Sequence, residues 1–175
     1  TGTFPSEFLN LPQEILVNAM RKHQKYFCGT DTAGNLLPVF FTVLNTRATD
    51  PELIRKGHQR VLMARLRDAE FFWREDLKSD LITFQNKLSR VTYHEKLGSY
   101  SEKVSRMLSI ADEIIKQAML EEISPKLRKL IQMSKADLVT LMVGEFPELQ
   151  GIMSGLYARE MKLQEEEWQA LYDQY

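Results

Sequence analysis

Lys56, Arg60, Arg67 and Arg74 follow one another at spacings of four, seven and seven residues. On a helix turning 100° per residue they fall within about 40° of one another, with Met63 in the same line. At 1.5 Å per residue the line is about 27 Å long, a reach that matches several phosphates of a nucleic-acid backbone. Lysine and arginine suit that contact because they set mobile positive charge against phosphate without requiring a base sequence. The competing reading is a solvated helix face. Arg65 lies toward the apolar side, one turn from Asp68, where a half-buried ion pair is expected instead.

The remaining chemistry-bearing residues do not assemble a catalytic pattern. His23, His58 and His94 are isolated, and no pair has the i, i+3 or i, i+4 spacing that brings two imidazoles to one metal. His23 and His58 fall on apolar faces and read as core histidines. His94 beside Glu95 is the one candidate acid/base pair, yet adjacent residues on a regular element point apart. Asp137 sits at the edge of an apolar helix face and reads as a surface carboxylate in preference to a perturbed one. The chain has no glycine-rich phosphate loop and no nucleophile elbow. Its one cysteine, Cys28, excludes an internal disulfide or a cysteine-based zinc site and favours a reducing compartment. No catalytic residue and no metal ligand is expected.

These side chains must be positioned by a mainly helical protein. Asn10, Leu11 and Pro12 read as a helix start, and Ile15, Leu16, Ala19, Met20 and His23 share a face of about three turns. Lys25 to Thr30 and Leu36 to Asn45 are β-rich runs joined by the turn formers Asp31 to Asn35, which predicts a hairpin. Its second strand, around Val39 to Leu44, is apolar on both faces, so a further layer must cover it. The hairpin is therefore expected to belong to a larger domain. The polar joint Asn45 to Pro51 marks a boundary between residues 1–48 and 49–175.

Beyond the joint the pattern predicts helices over Pro51 to Leu77, Leu81 to Val91, Ser101 to Ile123 and Pro125 to Phe146. Phe146-Pro147 breaks the last of these. Glu95 to Ser99 reads as a loop. Gly151 and Gly155, four apart, predict a close helix contact.

The 175 residues are 43% hydrophobic and 27% charged, the composition of a globular protein. No apolar run reaches the roughly 18 residues of a membrane span, and the chain reads as soluble. The net charge of −1 hides a polarity. Residues 55–106 carry 12 basic and 7 acidic groups, residues 107–175 carry 7 and 12. An anionic partner suits the first stretch and a basic or protein partner the second.

Longer strings carry a resemblance. Leu11 to Leu16 with Met20 to Phe27, then Gly57 to Lys78 (containing ARLRDAEFFWREDLK), His94 to Ser99 (HEKLGS) and Lys135 to Met153 (containing MVGEFPELQGIM) resemble, in order, the β subunit of bacterial-type tetrameric glycyl-tRNA synthetases. Ser134 departs from that pattern, where cysteine is expected. The resemblance implies an internal piece of a larger subunit: the helix and hairpin of 1–48 closing an upstream α+β domain, and 49–175 forming an all-helical domain similar to HD phosphohydrolases. Ala136-Asp137 would stand at the superfamily's His-Asp metal pair, and Ser101 to Arg106 where its first histidine falls. Both histidines are missing, so the metal site would be degenerate.

The resemblance further implies a non-catalytic tRNA-binding and assembly segment. The α subunit of a two-α, two-β heterotetramer would attach glycine to tRNA(Gly) with ATP and Mg2+, and this segment would hold no cofactor of its own. Lys56, Arg60, Arg67 and Arg74 become the expected phosphate contacts, in the cytoplasm and away from any membrane. The alternatives are an active HD-type phosphohydrolase, or a structural helical module that docks subunits through Phe71, Phe72, Trp73 and the apolar hairpin.

Overall fold

The computed structural model describes residues 1–47 and 49–175, and of His23 the backbone alone. The core placement expected for the His23 side chain, and the Ala48 end of the expected joint, lie outside the described residues. The fold is mainly α, with eight α-helices and two small sheets among the described residues. It divides into two compact units, Thr1–Arg74 and Glu75–Tyr175. The expected joint at 48/49 falls within the first unit, just ahead of its longest helix.

In the first unit, β2 (Phe27–Thr30) and β3 (Leu36–Phe41) form the expected antiparallel hairpin. The Asp31 carboxylate organises its loop, accepting the N–H groups of Ala33 at 2.9 Å and Asn35 at 2.8 Å, and Gly34 takes φ +88°. The Asn35 side-chain amide, which donates to Asp31 at 3.0 Å, and with it these N–H groups hold the Asp31 carboxyl below its ordinary range. A third strand, β1 (Gly2–Thr3), pairs with the other edge of β3, giving the order β1-β3-β2. Two residues have no periodicity, so β1 left no signal in the sequence.

Helix α1 covers only Gln13–Asn18, because the chain widens into a π turn at Ala19–His23. Ile15, Leu16, Ala19 and Met20 are nevertheless buried, as their spacing predicts. The long helix α2 runs Pro51–Asp76. His58 on α2 shares a 2.7 Å hydrogen bond through Nδ1 with the Tyr26 hydroxyl, and Tyr26 stacks on Phe40 at 4.7 Å. His58 is thus a satisfied, half-buried histidine.

The second unit begins with α3 (Leu81–Gln85), capped by Asp80, whose carboxylate accepts the Thr83 N–H at 2.6 Å. The single helix expected to Val91 becomes a 3-10 turn after Gln85. Where a loop was expected, β4 (Thr92–His94) and β5 (Gly98–Ser99) form a short hairpin. Helix α4 (Tyr100–Ala118) opens with a capping box: Glu102 accepts the Ser99 N–H at 2.6 Å, and Ser99 Oγ accepts the Glu102 N–H at 3.3 Å. It stops five residues before the expected Ile123, because Met119 adopts φ +53° and the Leu120 N–H turns back to the Ile115 carbonyl at 3.0 Å.

Helix α5 (Ser124–Met133) carries Pro125 in its first turn, and the helix expected to reach Phe146 is interrupted by a 3-10 turn at Ala136–Val139. Helices α6 (Leu141–Glu145), α7 (Ile152–Glu160) and α8 (Glu165–Tyr172) complete the unit. The expected close contact is the α7–α8 crossing. A Cβ on Gly155 would stand 2.7 Å from the Tyr172 backbone. Gly151, at φ +86°, instead supplies the turn into α7.

Candidate nucleic-acid interface

Helix α2 places Lys56, Arg60, Arg67 and Arg74 on one exposed line, all within the first unit. The buried residues Leu62, Leu66, Ala69 and Trp73 lie on the other side of the same helix, which turns the basic line outward. The four charges are not equivalent. Lys56 Nζ lies 3.8 Å from Glu52, and Arg74 reaches Glu70 at 2.6 Å. Among the described residues, Arg60 and Arg67 form no ion pair. Two unpaired guanidinium groups, seven residues and about 10 Å apart along the axis, therefore form the centre of the line. Arg65 is half-buried, and Asp68 is exposed.

Acidic chemistry collects in the second unit, where it is buried. Asp76 is 2% exposed. Its carboxylate accepts the Leu141 and Met142 N–H groups, each at 2.9 Å, and the Tyr157 hydroxyl at 2.7 Å. It thereby caps α6 together with Thr140, whose Oγ1 accepts the Val143 N–H at 3.2 Å. Burial, reinforced by the Asp76 charge, pushes the Tyr157 phenol far above its ordinary range. The phenol therefore stays protonated and donates to Asp76.

Asp137 is fully buried, contrary to the surface carboxylate expected. Its Oδ2 accepts the Gly151 N–H, while Oδ1 and the Ser154 hydroxyl are both buried without a hydrogen-bond partner. Burial raises the Asp137 pKa, and the dipoles of Gly151 and Ser154 pull it part of the way back. The carboxylate thus stands in the interior of the unit. Among the described residues no three His, Cys, Asp or Glu side chains gather as a metal would require. His94 lies on the exposed β4–β5 hairpin, its Nδ1 accepting the Lys96 N–H at 3.1 Å. Phe71 is exposed and Trp73 buried, so the aromatic triplet divides between surface and core.

Asp76 escaped the reading of the sequence, although a signal was present. Leu62, Leu66, Ala69, Trp73 and Asp76 continue one spacing of four, three, four and three, and a carboxylate on an apolar line requires buried donors. Tyr157 and Ser154 carry no comparable mark.

All of residues 1–175 match the family described as glycyl-tRNA synthetase beta subunit. The chain belongs to that family. It is 45% identical to the glycine–tRNA ligase beta subunit of Rickettsia canadensis over 99% of its length, 45% identical to that of Bacillus subtilis over 90%, and 48% identical to that of Myxococcus xanthus over 90%. It spans about a quarter of those relatives, 25%, 23% and 22% of their lengths. The buried carboxylates, by contrast with the exposed basic line, hold elements of the fold together.

Proposed function

We propose that this segment serves glycyl-tRNA synthesis as a non-catalytic part of the β subunit, binding tRNA(Gly) through α2 and contributing to assembly with the α subunit in a cytoplasmic heterotetramer. The observation that carries the reading is the pair Arg60 and Arg67, exposed and, among the described residues, without an ion pair at the centre of a straight basic line. Duplex RNA is recognised largely through shape and backbone, which suits guanidinium groups presented on a rigid rod. Bidentate contact with phosphate oxygens is the interaction that arginine makes best.

ATP and Mg2+ are assigned to the α subunit in this reading. The two buried carboxylates fit neither: Asp76 has its oxygens turned to backbone N–H groups and a phenol, and Asp137 accepts the Gly151 N–H and, among the described residues, belongs to no group of carboxylates that could share a metal. Their geometry positions α6 and α7, with no access for a phosphate-bearing substrate.

The test is Arg60→Glu/Arg67→Glu in the complete synthetase, followed by tRNA(Gly) affinity and glycine-dependent ATP–pyrophosphate exchange. Reversal of two phosphate contacts is expected to weaken tRNA binding at least about tenfold at moderate salt, with aminoacylation falling in step and glycine activation unchanged. Unchanged tRNA affinity would overturn the reading.

A further inference from the structure

The sheet of the first unit has two different faces. On one, Phe40 is 1% exposed and stacks with Tyr26, while Gly2 on β1 lies so close that a Cβ there would stand 2.4 Å from the Phe40 ring. That face is finished. On the other, Leu37, Val39 and Phe41 alternate along β3, and Phe27 on β2 stands directly opposite Phe41. Phe27 is 63% exposed, Phe41 44% and Leu37 39%, and Val43 just beyond the strand is 81% exposed.

Gly29 makes this second face continuous. It has no side chain, and Val39 lies over it, with Cγ2 only 2.4 Å from where a Cβ would be. The side chains of Leu37, Val39 and Phe41 thus close over the glycine into one apolar surface. The strands beneath, FCGT and LLPVFF, hold no charged residue. A contiguous apolar patch of this kind marks a surface that is covered in the working protein. A strand apolar on both sides belongs between two layers.

We propose that this face is the floor of an intramolecular interface, covered in the complete subunit by an apolar segment of the same polypeptide from outside residues 1–175. The occupant follows from proportion. The chain spans about a quarter of its relatives' length, so most of the polypeptide that could supply the missing layer is outside it. This inference does not depend on the tRNA-binding role of α2.

The test uses the complete β subunit, alone and within the synthetase, with p-benzoylphenylalanine in place of Phe41. That replacement keeps an aromatic ring at the site. After irradiation, mass spectrometry of the cross-linked peptides should join Phe41's peptide to one from the same polypeptide outside residues 1–175, at a yield independent of protein concentration. Cross-links to a second copy, cross-links to the α subunit, or no cross-link would each overturn the proposal. Leu37→Cys provides a second readout through its rate of alkylation, measured on its own peptide against Thr32→Cys in the exposed loop. At least about tenfold slower labelling at Leu37→Cys is expected if the face is protected. Equal rates would contradict it.

Discussion

Arg67 and Asp76 stand nine residues apart on α2 and bear opposite charges, yet the fold uses them in opposite ways. Arg67 is exposed and unpaired among the described residues, together with Arg60. Asp76 is buried and saturated by two backbone N–H groups and a phenol. An unpaired surface guanidinium costs the fold little, because water solvates it, so it remains available to a ligand. A buried carboxylate is costly unless its lone pairs are used, and at Asp76 that use commits it to architecture. Exposure and satisfaction, more than residue type, separate the groups available for binding from those that hold the structure.

The sharpest way to break this contrast is Asp76→Ala, which strands the Leu141 and Met142 N–H groups and the Tyr157 hydroxyl in the interior. A loss of about 3–5 kcal/mol is expected from those unmet donors, read by urea unfolding of the complete subunit as a loss concentrated in the transition that reports on this unit. A loss below about 1 kcal/mol would mean that water already satisfies the donors.

Asp137→Asn sharpens the comparison within the buried class. The folded-state pKa of Asp137 lies above its ordinary 3.8, so the protonated form is the one the fold favours. Stability from that preference is complete below the unfolded value and is lost as pH rises through the raised folded value. The amide cannot ionise, and its oxygen can still accept the Gly151 N–H. Relative to the wild type, Asp137→Asn should therefore gain stability as pH climbs above the ordinary carboxylate range, a rise measured by denaturation across pH. A constant difference at every pH would show that Asp137 titrates normally.

The smallest effect is expected at Arg74→Ala. Its pair with Glu70 is on the surface, with the arginine side chain 72% exposed, so folding stability should change by less than about 0.5 kcal/mol, checked by thermal unfolding.

The contrast was half legible in the sequence. Periodicity located α2 and α4, and the Gly155 spacing announced the α7–α8 contact, because these features are local and repeat. The outward basic line was readable for the same reason. The two-residue β1 was not, since it exists only through pairing with β3. The 3-10 turns after Gln85 and at Ala136–Val139 were also hidden, because their breaks arise from packing more than from a helix-breaking residue. The burial of Asp137 was missed because Gly151, which donates to one of its oxygens, is fourteen residues away and does so through its backbone.

The most direct measurement is the salt dependence of tRNA(Gly) binding by the complete synthetase carrying Arg60→Ala/Arg67→Ala, beside the same protein carrying Lys56→Ala/Arg74→Ala. Each lost phosphate contact should reduce the slope of log affinity against log salt by about 0.7–0.9. The central pair is expected to lower it by nearly twice that amount, and the outer pair, already engaged by Glu52 and Glu70, by less than half as much as the central pair. Equal slopes in wild type and Arg60→Ala/Arg67→Ala would contradict the assignment of α2 as the phosphate-contacting face.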